Sequence, residues 1–391
     1  MSQTADALVS PQAAVEHVDV LIVGAGISGI GGAYNLTQRH PGKSFVVLDA
    51  LDGFGGTWLT HRYPGVRSDS DLFTYGYKFK PWRGKPIAEA EEIRNYLDEV
   101  IEENDLARHI RYQHRIDAAN WSTDERLWTV EVTRLDTGEE LTFTTNFLWM
   151  CSGYYRHAQG YVPHWEGMEQ FQGRIIHPQT WPDDLDLTGQ RVVVIGSGAT
   201  AATLIPNIAD EAAHVTMLQR SPTFFFARPN TNEVANMLRS LDIPEEWTHE
   251  IVRRKIIQDQ EAITKMSFDN PEVLRTMLVE GIRSLLPAGF DVDRHFNPKY
   301  RPWQQRIALL PDGDLFAAVR KGKASVVTDQ IATFTEHGIQ LESGDVLEAD
   351  VIITATGFDL SVLGDVTFAV DGKLVNPAET VTYRGIMFTG V

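Results

Sequence analysis

The sequence predicts an α/β fold of two βαβ-based units, the second inserted in the first, and three observations predict it. The first is a repeat: Val18 to Val23 leads into GAGISG, a helix of small residues and an apolar run ending at Asp49, while Arg191 to Ile195 leads into GSGATA, another helix and a run ending at Arg220. Short apolar runs flanking a small-residue helix are the pattern of buried parallel strands with a packed crossover. The second observation is that each copy is closed by a strand with a similar ending, LWMCSG up to Gly153 and DVIITATG up to Gly357. The third is a change to charged, helical periodicity between Arg228 and about Tyr300, read as a helical insertion in the second unit.

These signals partition the chain. Residues 1–17 are expected to be a flexible N-terminal extension and 18–157 the first part of domain one. Residues 158–357 then form domain two with its insertion at about 228–300, and 358–391 return to domain one. A length of 391 residues suits two domains, each able to bury its own core.

Taken in order, the first turn places Gly24, Gly26 and Gly29 between a strand and a helix, which lifts GxGxxG above chance. The first two glycines let the backbone approach a pyrophosphate, and the third lets helix and strand pack closely. The helix start, with Ser28 in its first turn, adds N–H groups and the positive end of a dipole. Asp49 ends the next strand, where a carboxylate hydrogen-bonds ribose hydroxyls. This is a Rossmann-like dinucleotide site, and its acidic ribose ligand suits the adenosine end of FAD.

The second turn offers Gly196, Ser197, Gly198, Ala199, Thr200 and Ala201, with the Thr200 hydroxyl available to a pyrophosphate. Its following strand ends in Gln219, Arg220 and Ser221 instead of an acid. A carboxylate would repel a 2′-phosphate, whereas a guanidinium pairs with it through parallel charge-assisted hydrogen bonds, so this site is expected to take NADPH. Two dinucleotide sites in one chain imply electron passage from one cofactor to the other.

Composition narrows what receives those electrons. Cys151 is the only cysteine, which excludes a dithiol acceptor and any intrachain disulfide. A net charge of −18 argues against nucleic acid as a partner. The N-terminal residues lack a basic stretch followed by an apolar one, and no segment reads as a membrane span, so a cytoplasmic protein is expected. No metal site is expected. Between Tyr63 and Trp82 the aromatics Phe73, Tyr75, Tyr77 and Phe79 alternate at strand spacing, reading as a strand face in the core or as the lining of an apolar substrate cavity.

The segment FQGRIIHPQTWP, Phe171 to Pro182, matches the fingerprint FxGxxxHxxxWP, and GGTWLTHRYPGVRSD, Gly55 to Asp69, agrees with a second one. In both the chain resembles the type I Baeyer-Villiger monooxygenases, from about Val18 onward, and within them the branch that holds the mycobacterial ethionamide-activating enzyme. The resemblance implies that NADPH reduces FAD, that O2 adds at carbon 4a of the flavin, and that the peroxyflavin attacks a hydrophobic ketone to give an ester or lactone, with sulfur substrates as further acceptors. It implies that Arg306 stabilises the peroxyanion and that Asp69 holds Arg306 beside the flavin. Without the resemblance, Arg306 reads as a surface charge near a helix start. Gly56, Thr57, Trp58 and Ile116 are expected at the flavin. Phe171, Gly173, His177 and Trp181 are expected in the link between the domains, coupling movement to cofactor handling or serving only as packing.

Two departures qualify these expectations. Family members continue past the position of Val391, so the chain is expected to be truncated there with an incomplete FAD domain, and Asp49 stands where the family more often has Glu. The alternatives are a flavin-containing monooxygenase acting on nitrogen or sulfur, against which Trp181-Pro182 argues, an uncoupled NADPH oxidase, and a non-catalytic nucleotide-binding fragment.

Overall fold

The computed structural model describes residues 15–388, so the greater part of the expected N-terminal extension lies outside the described residues. Two compact units emerge. One gathers the described part of Met1–Leu59 with Arg94–Tyr155 and Leu360–Val391; the other gathers Thr60–Ile93 with Arg156–Asp359.

In the first unit, β1 (Glu16–Val23) runs into α1 (Ile27–Arg39) and then β2 (Phe45–Leu48). Strand β2 is buried at every position and the last four residues of β1 are buried in succession, as strands covered on both faces must be. The small residues Gly29, Gly32 and Ala33 line the buried side of α1, and a Cβ at Gly32 would already touch Ile22 and Trp149. β3 (Ile110–Arg111) joins the parallel set, and β4 (His114–Ser122), β5 (Leu127–Arg134) and β6 (Glu139–Met150) form an antiparallel meander whose last strand pairs in parallel with β1. The order β6-β1-β2-β3 puts the switch of winding direction beside β1, the place where open α/β sheets bind ligands at their carboxyl ends.

The second unit repeats this plan. β7 (Arg174–Ile176), β8 (Arg191–Ile195), α2 (Ala199–Ile208), β9 (His214–Gln219), β10 (Ala324–Thr328) and β11 (Val351–Thr354) make a five-stranded parallel sheet in the order β10-β9-β8-β11-β7. Between β9 and β10 the chain leaves for α3 (Glu233–Ser240), α4 (Glu245–Asp269), α5 (Pro271–Arg283) and α6 (Val292–Phe296). Phe296 anchors α6 edge-on to Phe225 and Phe316, with ring centroids 5.8 and 5.3 Å apart. After β11 the chain returns to the first unit with β12 (Thr367–Val370), parallel to β4, and β13 (Lys373–Leu374).

Two expectations are corrected here. The partition at residue 157 kept Thr60–Ile93 in domain one, but the contacts of this stretch lie in the second unit. Arg67 pairs with Asp314 at 2.6 Å, buried Asp71 pairs with Arg228 at 3.1 Å, and Arg253 donates to the carbonyls of Phe73, Thr74 and Gly76. The alternating aromatics are not a strand. Asp71 accepts from the Phe73 N–H at 2.9 Å and caps a one-turn helix, Leu72–Tyr75, which Gly76 ends. Among the described residues no helix is long and apolar enough to cross a membrane. None of their His, Cys, Asp and Glu groupings could hold a metal.

Candidate functional site

In the first unit the sequence around Gly24 builds a tight glycine turn between β1 and α1. Gly24 has φ +104°, and a Cβ there would lie 2.5 Å from the Cys151 carbonyl oxygen, at the end of β6. A Cβ at Gly29 would stand 1.8 Å from the Gly24 oxygen, so only glycine lets the first turn of α1 close on β1. Ser28 lies in that turn. The nearest heavy atom to a Cβ at Gly26 is the Gly56 Cα at 4.0 Å, which leaves backbone facing open space between two glycine turns.

Asp49 is buried, and its carboxylate accepts from the Ala25 N–H at 2.5 Å and the Leu51 N–H at 2.8 Å. Burial pushes its carboxyl up, against the two N–H bonds that favour the charged form. Those bonds tie the end of β2 to the glycine turn, where ribose hydroxyls would be met. Thr57 is held by the buried Tyr155, hydroxyl to hydroxyl at 2.5 Å, and Trp58 is half-buried in the same short helix, Thr57–Thr60. The Ile116 side chain sits in the core with Val46, Leu48 and Val130.

The second unit makes the same contact with other residues. Gly196 has φ +133°, and a Cβ there would lie 2.3 Å from the Ala355 oxygen, just after β11. At Gly198 nothing stands within 4 Å of a Cβ. In both units the approach of a phosphate to the helix start is therefore sterically open, and the residues fit a dinucleotide. Ser197 bonds the Thr223 hydroxyl at 2.8 Å, and Ala199 begins α2 while Ala201 is buried in it. The Thr200 hydroxyl is hydrogen-bonded by Tyr63, a buried tyrosine whose hydroxyl burial pushes up. Arg220 and Ser221 are exposed at the end of β9, whereas Gln219 turns its side chain inward.

Arg306 and Asp69 meet within the second unit. Arg306 Nε stands 2.6 Å from Asp69 Oδ2 and Nη2 donates to Oδ1 at 2.8 Å, a bidentate pair; Nη2 also donates to the Ser70 hydroxyl at 2.8 Å. The arginine side chain remains 61% exposed and the aspartate 29%. Arg306 lies in an irregular turn before the strand Ala308–Pro311 and not near a helix start. Loop backbone, not periodicity, positions it.

The linker fingerprint resolves into packing and capping. Phe171 is buried against Ile339, Leu341 and Ile352. A Cβ at Gly173 would lie 2.2 Å from the Asp350 oxygen, so the glycine lets this stretch lie against the start of β11. His177 Nδ1 accepts from the Gln179 N–H at 3.2 Å, so Nε2 carries the proton and donates to the Gly357 oxygen at 3.1 Å. Trp181 packs, half-buried, on the main core of this unit.

Sequence reasoning missed what surrounds His177. His61, Tyr63, His177, Thr200 and Phe358 line one small cleft beside the second glycine turn. His61 is 5% exposed, stacks on Phe358 at 5.4 Å, and is driven down to about 4, first by burial and then by the neighbouring His157 and His177. The only signal for this cleft was that His61 and Tyr63 belong to the second fingerprint.

Residues 86–240 match the family described as "Flavin-binding monooxygenase-like", and residues 22–81 match "NAD(P)-binding Rossmann-like domain". The chain is 48% identical over 378 residues to the FAD-containing monooxygenase EthA of Mycolicibacterium smegmatis, covering 96% of this chain and 76% of that protein. It is 45% identical to the probable FAD-binding monooxygenase AlmA of an Acinetobacter species, again over 96% of this chain and 76% of the relative. Among solved structures, an open form of cyclohexanone monooxygenase superposes with a TM-score of 0.77 at 22% identity, covering 93% of this chain and 78% of that one. An oxidised steroid monooxygenase bound to NADP superposes at 0.72 with 25% identity, covering 90% and 73%.

Proposed function

The chain belongs to the FAD-containing monooxygenases, and from that premise we propose that it inserts one atom of O2 beside the carbonyl of a small hydrophobic ketone, giving an ester or lactone. Its cofactors are FAD and NADPH: the first is carried by the family, and the NADP-bound steroid monooxygenase supports the second. Reduced by NADPH, the flavin supplies the two electrons that activate O2. The overall change is ketone, O2, NADPH and a proton to ester, NADP⁺ and water.

The observation that carries the reading is the Arg306–Asp69 pair. Asp69 and Ser70 occupy Nε and Nη2, so the guanidinium plane is fixed while Nη1 has no partner among the described residues. A cation held in this way can present two N–H donors to an anionic oxygen without reorganising, which is how charge developing in a reaction is stabilised. Asp69 positions it and does not exchange a proton with substrate. Gly24, Gly26, Asp49, Thr57 and Trp58 bind and orient the first cofactor, and Gly196, Gly198, Thr200 and Arg220 the second. His177, neutral and bonded at both ring nitrogens, positions the link after β7 and is not an acid or base.

The test is NADPH oxidation in air by the FAD-loaded chain with a simple ketone and, separately, a thioether, with ester, sulfoxide and hydrogen peroxide all quantified. Ester as the main product supports the proposal. Sulfoxide without ester would assign the chain to sulfur oxidation, and peroxide alone to an uncoupled oxidase.

A further inference from the structure

The helical insertion ends at the carboxyl edge of the second parallel sheet, and a buried polar network joins them there. Gln219, the last residue of β9, lies opposite Thr328, the last of β10, and is 2% exposed. Its Nε2 donates to the His295 carbonyl at 2.7 Å and to the Thr328 hydroxyl at 2.8 Å. The same hydroxyl is hydrogen-bonded to His295 Nδ1 at 2.8 Å. α6 is thus fastened to the strand ends by two hydrogen bonds of this network besides its Phe296 anchor, while the third joins the two strands.

One consequence is a pair of cations. Arg220 follows Gln219 and Arg294 precedes His295, so each arginine is the chain neighbour of a residue that the bond between Gln219 and the His295 carbonyl joins. Both are exposed, and Arg294 Nη2 reaches over the strand end to the Thr328 carbonyl at 3.3 Å. Neither makes an ion pair among the described residues, although the chain has 53 acidic against 35 basic side chains. The surface arginines Arg134, Arg191 and Arg283, by contrast, each face two carboxylates.

Of the nearby acids, Asp291 caps α6 by accepting from the Arg294 N–H at 3.1 Å, and Asp329, which accepts from Gln330 at 2.7 Å and from Ser343, feels the Arg294 charge without forming an ion pair with it. Two guanidiniums carried beside joined residues of the sheet edge and the helix can share one bound anion.

We propose that Arg294 is a second guanidinium for the 2′-phosphate of NADPH, acting with Arg220, and that the Gln219–Thr328–His295 network exists to hold it there. The proposal rests on the NADPH reading and adds the specificity residue that the insertion contributes. It also gives the insertion a role, since the strand ends alone supply only one of the two cations.

Calorimetric titration of the full chain with adenosine 2′,5′-bisphosphate and with 5′-AMP isolates the 2′-phosphate from the rest of the cofactor. The expected result is a wild-type preference for the bisphosphate that falls about tenfold in Arg294→Gln, with 5′-AMP affinity unchanged, and that Arg294→Lys partly restores. Full preference in a folded Arg294→Gln, with loss in Arg220→Gln, would overturn the proposal and leave the NADPH reading standing. A wild-type chain that binds both nucleotides equally would remove that reading, and the proposal with it.

Discussion

At the residue scale, the proposed chemistry assigns roles to side chains that were unequally visible in the sequence. Asp49 was legible because its place after a strand and a glycine turn is a spacing, and spacing survives in one dimension. Arg306 was not, since it sits in an irregular turn and meets Asp69 across 237 residues; only the family resemblance singled it out. Replacing Asp69 by Asn removes the charge that fixes the guanidinium, and the expected outcome is a fall in ester formation of about a hundredfold or more with NADPH affinity retained, measured by product yield and by titration. His61 supplies a pH test. Its value in the fold is about 4 against an ordinary 6.5, so the stability it contributes is complete above about pH 6.5 and is lost as pH falls toward 4. The full loss is roughly 3 kcal/mol. Thermal unfolding between pH 6.5 and 4 is therefore expected to be less pH-dependent in His61→Asn; an unchanged slope would mean that another group carries the acid sensitivity.

At the element scale, both strand–turn–helix units were readable because parallel strands buried on both faces leave continuous apolar runs. The stretch from Phe73 to Phe79 was misread for a related reason. Alternation of aromatics has the period of a strand, but the Asp71 cap and the Arg253 bonds to the carbonyls at the end of that turn are tertiary choices that periodicity does not register. Gly29→Ala sets a Cβ 1.8 Å from backbone, where nothing flexible can yield, and is expected to give a chain that no longer retains FAD, seen as loss of the visible flavin spectrum after gel filtration. Phe296→Ala should cost about 3–5 kcal/mol in urea unfolding, since a fully buried ring leaves a cavity among Phe225 and Phe316. It should also weaken adenosine 2′,5′-bisphosphate binding, because the same helix carries Arg294.

At the scale of the whole molecule, the repeat disclosed the architecture, and the structure shows why the repeat exists. Each sheet switches winding direction beside its first glycine strand, and each first glycine closes against the carbonyl that follows the strand paired beside it, Cys151 after β6 and Ala355 after β11. What one dimension concealed was the excursion of Thr60–Ile93, which interrupts the first unit and packs in the second through pairs such as Arg67–Asp314, 247 residues apart. That excursion brings Asp69 into the same unit as Arg306, so oxygen insertion is expected to depend on their pair while flavin reduction does not. The direct test is turnover of a ketone under ¹⁸O2 by the FAD-loaded wild type and by Arg306→Ala, with NADPH consumption, labelled ester and peroxide followed together. One ¹⁸O atom in the wild-type ester, and a variant that still oxidises NADPH but releases peroxide with no labelled ester, is the predicted result; labelled ester from Arg306→Ala at the wild-type yield would contradict it.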